Sequence, residues 1–262
     1  MTAPDRCVLD GSLTPVAEAA VPVTDEGLLR GDGAFEVIRL YGGRPFALDD
    51  HLRRMARSCE TLMLEADLSA MRDDALTATE LADGGDFLLR LVVTRGGHRV
   101  AILEPMPAYG DTIRLSVETH LPTPLLRAAK SLSYAANMLA ARRAVERGYD
   151  DALLVLPDGG VLEITRSSFF WVEDGRIYTP PLDGDTILDS ITRRCVIEEN
   201  DVEERRIQLD ELASADETFT AGTSFEVMPV SAIEGVGEFD AGPVTRAAME
   251  RMGARVEREL GG

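Results

Sequence analysis

The stretch Lys130-Ser-Leu-Ser-Tyr134-Ala-Ala-Asn137-Met-Leu-Ala140 contains the only lysine of the 262-residue chain. The other basic residues are 26 arginines and three histidines, although lysine is among the commonest residues of average proteins. An arginine stays protonated, whereas a desolvated lysine amine can lose its proton and attack a carbonyl to form a Schiff base. Two interpretations follow: the lysine survived by chance on a solvated face, or it is retained for covalent chemistry.

The net charge of −19 indicates a solvated acidic surface. It argues against a nucleic-acid partner, since phosphate binding requires a basic patch. Together with the scarcity of lysine, it is typical of a salt-rich habitat or of a GC-rich genome, and both alternatives stay open. The length suits one large domain or two modest ones, and a hydrophobic content of 45% is sufficient for a sizeable core.

The cysteines and the N-terminal residues favour a cytoplasmic location. Cys7, Cys59 and Cys195 are widely spaced, and neither they nor the histidines have the spacing of metal ligands. We therefore expect reduced thiols and no metal. The first residues, MTAPDRCVLDG, have no basic stretch followed by an apolar run, and no run of about eighteen apolar residues occurs. We expect a cytoplasmic protein that does not bind a membrane.

The first part of the chain mixes strand and helix patterns. β-rich runs bounded by turn residues predict strands at 35–41, 86–94 and 112–118. Apolar residues recur at helical spacing over 52–63, which predicts a helix with Asp49 or Asp50 as its N-cap. The Pro-containing stretch 120–124 (HLPTP) is the candidate linker. Residues 1–120 are therefore predicted to form a small α+β domain.

The second part, residues 121–262, is predicted to form a larger α+β domain that carries Lys130. A helix over 134–147 is expected to end at Gly148, a typical C-cap residue. Further helices are predicted from about Asp189 and from about Pro243. Short strands are predicted at 152–156, 168–172, 177–179, 203–207 and 218–221. The simplest architecture is two α+β domains with a cleft between them.

Several segments have the order and spacing of a known family. They are Lys130-Ser-Leu-Ser-Tyr134, Asn137, Gly148-Tyr-Asp-Asp-Ala152, Glu163, Thr179-Pro180, Ile191-Thr192-Arg193 and Gly222-Thr223. From about Thr24 to Arg246 the chain resembles the class IV aminotransferases, which include branched-chain and D-amino-acid aminotransferases and aminodeoxychorismate lyase. The resemblance implies the pyridoxal-phosphate (PLP) fold type IV, with the cofactor in the cleft between the two domains. It also implies a homodimer, and an amino donor and a 2-oxo acid acceptor as substrates.

The resemblance assigns a role to three residues around the cofactor ring. Lys130 would hold PLP as a Schiff base and, once released, would move the proton of the substrate. Glu163 would keep the pyridine nitrogen protonated, so that the ring can act as an electron sink. Tyr134 would hydrogen-bond the phenolic oxygen. Without the family, Glu163 would be interpreted as an exposed residue at a strand end and Tyr134 as a core tyrosine.

The resemblance also implies a phosphate site. Ile191 and Thr192 stand where a loop enters a helix, so their N–H groups and the Thr192 hydroxyl can face an anion. Thr223 offers a second hydroxyl. Arg54 resembles the family's phosphate-binding cation, although helical spacing sets it opposite the apolar stripe and by itself predicts a solvated residue. Arg53 is the alternative cation.

Four residues are predicted to bind the substrate: Phe35, Arg99, Thr223 and Ser224. Phe35 lies in the segment Gly31-Asp-Gly33-Ala-Phe35-Glu36, which resembles the family strand whose aromatic residue faces the substrate. D-amino-acid aminotransferases have a tyrosine there, together with an Arg-x-His pair. The stretch 94–101 of this chain offers arginine but no histidine two residues later, which weakens the D-specific alternative.

The remaining comparison favours an aminotransferase with an apolar substrate pocket. The catalytic threonine of aminodeoxychorismate lyase would fall at Val37, whereas the tail 242–246 is similar to that of branched-chain aminotransferases. A hypothesis of another class is a scaffold that binds PLP or an amino acid without turnover. The retained lysine argues against it, because a bare scaffold would tolerate arginine.

Two positions depart from the usual family pattern. Ser168 stands where an asparagine is usual, and Ser190 stands where a glycine is usual. The preceding Asp189 would place a negative charge near the phosphate, which is unfavourable unless the aspartate points outward or is paired.

Overall fold

The computed structural model describes residues 2–126, 129–182 and 187–261. The chain divides into two units, the first formed by Met1–Pro107 and Ala128–Tyr134 and the second by Ala108–Arg127 and Ala135–Gly262. This boundary differs from the predicted division at residue 121, and Lys130 belongs to the first unit rather than to the second. Within the described ranges, no helix is long and apolar enough to cross a membrane.

The first unit is an antiparallel sheet with helices. Its strands are β1 (Arg6–Leu9), β2 (Ser12–Pro15), β3 (Gly33–Tyr41), β4 (Arg44–Pro45), β5 (Phe87–Thr94) and β6 (Arg99–Pro105). Its helices are α1 (Glu26–Arg30), α2 (Leu48–Thr61) and α3 (Leu68–Glu80). In the described part of the unit, the strands lie in the order β2-β1-β6-β5-β3-β4. The strands predicted at 35–41 and 86–94 and the helix over 52–63 are confirmed.

Alternation along β3 explains why one face of this sheet is covered by helices. Ala34, Ile38 and Leu40 point to one face, where they form a buried core with Met55 of α2 and Met71 of α3. The intervening side chains point to the other face, so Phe35 lies on the face opposite to this core.

The start of α2 differs from the prediction. Ala47 is the N-cap residue, with a φ of 53° and no side-chain hydrogen bond. Asp49 and Asp50 lie inside the first turn, where a negative charge is favourable because of the helix dipole. The prediction of either aspartate as the N-cap was therefore wrong.

The second unit is a larger sheet with three α-helices in its described residues. The strands are β7 (Ile113–Thr119), β8 (Asp151–Val155), β9 (Val161–Ile164), β10 (Ser168–Glu173), β11 (Arg176–Thr179), β12 (Val202–Glu204), β13 (Glu217–Gly222), β14 (Glu226–Ile233) and β15 (Gly237–Glu238). The helices are α4 (Ala135–Glu146), α5 (Ile191–Glu199) and α6 (Pro243–Gly261). The described strands run in the order β12-β11-β10-β13-β14-β7-β8-β9, with β15 beside β14.

Strand pairing explains the observed boundary between the units. β7 pairs in parallel with β8 and β14, so it belongs to the second sheet although it follows the strands of the first. The segment around Lys130 instead pairs with β3. The Phe35 N–H donates to the Lys130 carbonyl at 2.9 Å, and the Leu132 N–H donates to the Gly33 carbonyl at 2.9 Å. Pairings between residues distant in sequence leave no local signal in the chain.

Candidate active site

The Lys130 amine lies against two aromatic rings of the first unit. Its Nζ atom is 4.6 Å from the ring centre of Phe35 and 5.5 Å from that of Tyr134. The two rings meet edge to face, with centres 5.4 Å apart. Lys130 and Tyr134 are half-buried and Phe35 is buried. The structure therefore brings together three of the predicted residues, Phe35, Lys130 and Tyr134, and places the lysine in a half-buried position.

The backbone of Lys130 is held from two sides. Its carbonyl accepts the Phe35 N–H of β3, and its N–H donates to the Ser58 Oγ of α2 at 3.0 Å. Because both partners belong to regular elements, the position from which the amine projects is fixed by the fold.

Arg54 is buried, so the expectation of a solvated residue was wrong. It is 3% exposed. It donates two hydrogen bonds to Glu36 of β3, from Nε to Oε1 and from Nη2 to Oε2, both 2.7 Å long. His51 Nδ1 lies 2.8 Å from the same carboxylate. The alternative cation, Arg53, is exposed and pairs with Asp50 of its own helix. Arg54 remains the candidate for an anion site in this unit.

Electrostatics keep Glu36 ionised and His51 neutral. Burial by itself would raise the pKa of Glu36, but the Arg54 guanidinium and the His51 hydrogen bond outweigh it and lower the pKa to about 2. Burial lowers the pKa of His51, against the effect of Glu36, and the charges of Arg54 and Lys130 lower it further. The pair Glu36 and Arg54 is thus a buried ion pair with charge-assisted hydrogen bonds.

Sequence reasoning did not assign a role to Glu36 or His51. A signal was present, because Glu36 lies between Ala34 and Ile38 on the core face of a strand. A carboxylate in that position must be paired, and the paired cation had to come from the helix that covers the face.

Arg99 is not brought together with Phe35. Its Nε donates to Asp74 of α3 at 2.8 Å, which places it on the face covered by helices. The register agrees, since Arg99 is opposite Val93 whereas Phe35 is opposite Val92, and neighbouring residues of a strand point to opposite faces.

Arg90 is the arginine beside Phe35. Its guanidinium carbon is 5.5 Å from the ring centre, and it forms a two-pronged ion pair with Glu104 at 2.6 and 2.9 Å. Both side chains are about one-third exposed. Sequence reasoning missed Arg90, although it stands two residues from Val92, the cross-strand neighbour of Phe35.

In the second unit, Glu163 of β9 lies beside the start of α5. Its Oε1 accepts the Leu188 N–H at 3.3 Å. Ser190 caps the helix, with its Oγ accepting the Arg193 N–H at 3.3 Å. Ile191 and Thr192 are therefore the first two residues of the helix, where unpaired N–H groups can bind an anion.

Two of the departures from the family pattern, Ser190 and Asp189, have a local explanation. Ser190 serves as the N-cap of α5, a role for which serine is well suited. Asp189 is paired with Arg194, whose Nε is 3.7 Å from its carboxylate, so its charge is partly neutralised.

Asp185 and Thr186, which begin the predicted phosphate-binding loop, lie outside the described residues. Ser168 is buried, and its Oγ has no hydrogen-bond partner among the residues that the structure describes.

Thr223 and Ser224 form a turn after β13. Gly222 allows the turn, because a Cβ there would lie 2.9 Å from the Ser167 Cβ. The Ser224 Oγ is 2.8 Å from the Tyr109 hydroxyl, and the Tyr109 ring packs edge to face on Phe225, with centres 5.2 Å apart. Sequence reasoning did not single out Tyr109, which precedes the turn by more than a hundred residues.

Within each unit taken by itself, the residues fit a part of PLP. The first unit supplies a lysine amine against aromatic rings and a buried arginine. The second supplies a carboxylate and a helix N-terminus with hydroxyl-bearing residues. The lysine amine could bond the aldehyde carbon of PLP, and the carboxylate could pair with its pyridine nitrogen. The arginine and the helix N-terminus could each bind its phosphate.

Comparison with known proteins identifies the family. The model of the amino-transferase class IV family matches residues 33–233. This chain belongs to the class IV aminotransferases. It is a PLP-dependent transaminase of fold type IV, as its sequence resemblance implied.

Two relatives and two solved structures illustrate the similarity. A putative branched-chain-amino-acid aminotransferase from Methanocaldococcus jannaschii is 35% identical, over 94% of each chain. A D-alanine aminotransferase from Bacillus licheniformis is 33% identical, over 92% of this chain and 93% of its own. The branched-chain aminotransferase of Thermoproteus uzoniensis, crystallised with norvaline, superposes with a TM-score of 0.88 at 31% identity, covering 98% and 96% of the two chains. The PLP-bound form of a hypothetical aminotransferase from Mycobacterium tuberculosis also has a TM-score of 0.88, at 26% identity, covering 96% of this chain and 98% of its own.

Proposed function

We propose that this transaminase moves an amino group between an amino acid with an apolar side chain and a 2-oxo acid, and that Lys130 binds its PLP covalently. The observation that carries the proposal is the position of the Lys130 amine, 4.6 Å from the ring centre of the buried Phe35. A substrate whose α-carbon reaches this amine meets an apolar aromatic surface.

The other predicted residues would hold the cofactor. Glu163 would pair with the pyridine nitrogen, and Tyr134 would hydrogen-bond the phenolic oxygen. Arg54, the N–H groups of Ile191 and Thr192, and the Thr223 hydroxyl would bind the phosphate. The bound cofactor supplies an electron sink for the charge that develops when the substrate loses its α-proton.

Lys130 would also handle the proton of the reaction. Its amine would remove the proton from the α-carbon of the amino donor and, in the second half of the cycle, would return a proton to the α-carbon of the 2-oxo acid. The rings of Phe35 and Tyr134 would shield one side of the amine from water, which would slow exchange of the proton with solvent.

Several observations support an apolar amino acid as the donor. The relative from Methanocaldococcus jannaschii is named as a branched-chain aminotransferase, and the structure from Thermoproteus uzoniensis contains norvaline. Thr223 and Ser224 would bind the substrate carboxylate. Arg99 was predicted for this role, but it faces α3 on the opposite side of the sheet, so Arg90, which lies beside Phe35, is the arginine proposed here.

Spectroscopy of the half-reaction tests the proposal. The holoenzyme is mixed separately with L-leucine, D-alanine, an (R)-amine and aminodeoxychorismate, and absorption is followed as the cofactor changes to its amine form. We expect L-leucine to convert the cofactor fully and to yield an equal amount of its 2-oxo acid. Conversion by D-alanine or the amine, but not by L-leucine, would overturn the donor. Pyruvate from aminodeoxychorismate without a lasting amine form would identify a lyase.

The assembly and location are part of the same proposal. We expect a cytoplasmic homodimer, since the resemblance to the family implies one. Light scattering after size exclusion would give about twice the chain mass of 28.5 kDa, and a value equal to the chain mass would contradict the dimer.

A further inference from the structure

We propose that Ser58 is a positioning residue for Lys130, a role that rests on the proposed function of that lysine. Ser58 lies on α2, is completely buried, and accepts the Lys130 N–H on its Oγ at 3.0 Å. No charge or cofactor contact is needed for this role. The hydroxyl acts on the reaction only through the backbone from which the amine projects.

The segment around Lys130 has no regular structure of its own and is bound from two sides, and the hydrogen bond from its N–H to Ser58 is one of them. On the other side of Lys130, its carbonyl accepts the Phe35 N–H at 2.9 Å. The next residue, Ser131, bridges to Ala34 of β3. Without the Ser58 hydroxyl, the Lys130 N–H would lose its buried acceptor on α2, which is costly for a backbone donor.

Ser58 belongs to a buried polar stripe on α2. His51, Arg54 and Ser58 follow one another at spacings of three and four residues, which places them on one face of the helix. All three are buried. The first two hold Glu36 of β3, and the third holds Lys130. One helix face therefore fixes both the lysine and the arginine proposed for the phosphate.

This arrangement has a consequence for catalysis. The amine must approach a carbonyl carbon and later an α-carbon, and a misplacement of about 1 Å can reduce a rate by about two orders of magnitude. Partial loosening of the segment is expected to have a smaller effect, of about tenfold. The effect should appear in kcat rather than in KM, because Ser58 does not touch the substrate site.

The test compares Ser58→Ala with Ser58→Thr, which keeps the hydroxyl, and with Ser116→Ala as a matched control. Ser116 is a completely buried serine of β7 in the second unit, and its Oγ has no partner among the described residues. Ser58→Cys keeps the volume but accepts a hydrogen bond weakly, so it should resemble the alanine variant. It keeps the test decisive in case the threonine methyl does not fit. Thermal melting establishes that each variant is folded.

Two measurements do not depend on turnover. One is the rate at which PLP and borohydride label Lys130 in the apoprotein, where the single lysine makes the site unambiguous. The other is the visible circular dichroism of the bound cofactor, which reports how firmly it is oriented. We expect Ser58→Ala to label at least fivefold more slowly, to have a weaker dichroic signal, and to have a kcat about tenfold lower with KM within twofold. Ser58→Thr and Ser116→Ala should stay within threefold of the parent.

Two results would overturn the proposal: an alanine variant with the labelling rate and kcat of the parent, or one that only melts at a lower temperature. Failure of the proposed function would differ, because Lys130 of the unaltered protein would then not be labelled at all.

Discussion

Glu36 joins the first sheet to the helix that covers it, through its hydrogen bonds to Arg54 and His51. It is completely buried, and two elements, β3 and α2, meet at its carboxylate. Removing one partner of a buried ion pair leaves the other charge uncompensated, which costs far more than the net value of the pair.

Glu36→Gln is therefore expected to lower the free energy of unfolding at pH 7 by about 3 to 5 kcal/mol. Glu104→Gln is the matched control, since Glu104 also binds an arginine with both oxygens but is about one-third exposed; it should cost less than about 1 kcal/mol. Denaturant titration measures both. Equal effects in the two variants would show that the burial of Glu36 does not matter.

Acid should destabilise the protein in two steps. The pKa of His51 is lowered from 6.5, chiefly by burial, so protonation favours the unfolded chain and stability falls as the pH drops below 6.5. The pKa of Glu36 is lowered from 4.5 to about 2, so its contribution is complete above pH 4.5 and is lost as the pH falls from 4.5 towards 2. Melting temperatures of the parent and of Glu36→Gln test the sign, because only the parent should lose the Glu36 contribution between pH 4.5 and 2; an equal pH dependence of the two proteins over this range would contradict it.

Tyr109 and Ser224 join the start of the second unit to the turn proposed for the substrate carboxylate. Tyr109→Phe removes only the hydroxyl, and a hydrogen bond is worth about 0.5 to 1.5 kcal/mol, so KM for the amino donor should rise about two- to tenfold with little change in kcat. In a double-mutant cycle with Ser224→Ala, the double variant should be no worse than the worse single one. Additive effects would show that the two hydroxyls act separately.

The pairing of the lysine segment with β3 depends on Gly33. A Cβ at this position would lie 2.4 Å from the Val93 carbonyl oxygen and 2.6 Å from the Leu132 Cδ1. Gly33→Ala should therefore separate β3 from its neighbours and destabilise the first unit by about 3 kcal/mol. Gly253→Ala, in α6, meets none of the described residues within 4 Å and should stabilise the protein by up to about 1 kcal/mol. Similar melting temperatures for the two variants would contradict this account of the segment.

Sequence patterns predicted the elements with strong local signals. The strands around 35–41 and 86–94 and the helix that ends before Gly148 were found because apolar periodicity and a glycine stop are local. The elements that were not predicted are β1, β2, β4, β6, β9, β14, β15, α1 and α3. β1 and β2 are only four residues long, and α3 carries a weak apolar stripe. The exchange of β7 and the lysine segment between the units was also not predictable, because it depends on partners distant in the chain.

The candidate site was predictable to the extent that its chemistry is unusual. Lys130 could be found by its scarcity and by its surrounding motif, and Glu163 and Thr192 by the same resemblance. Ser58, His51 and Tyr109 could not, because their partners are distant in sequence and a lone serine, histidine or tyrosine has many ordinary uses. The burial of Arg54 was not predictable, because it lies with His51 and Ser58 on a polar face of α2, and polar helix faces are usually exposed to solvent.

The charge of the whole molecule gives a further expectation. With a net charge of −19, like-charge repulsion opposes the folded state, and salt screens it. Raising sodium chloride from about 20 mM to about 500 mM, across which the Debye length shrinks several-fold, should increase the melting temperature by several degrees. A decrease would indicate that the exposed ion pairs of arginine, which salt also screens, contribute more than the net charge.

The single lysine allows a direct test of where PLP is bound. The holoenzyme is reduced with borohydride, digested and analysed by mass spectrometry, in parallel with Lys130→Arg. We expect one cofactor mass on the peptide that contains Lys130, and no covalently bound cofactor and no transamination in the arginine variant. An unlabelled Lys130, or an absorption band of covalently bound PLP that survives in Lys130→Arg, would contradict it.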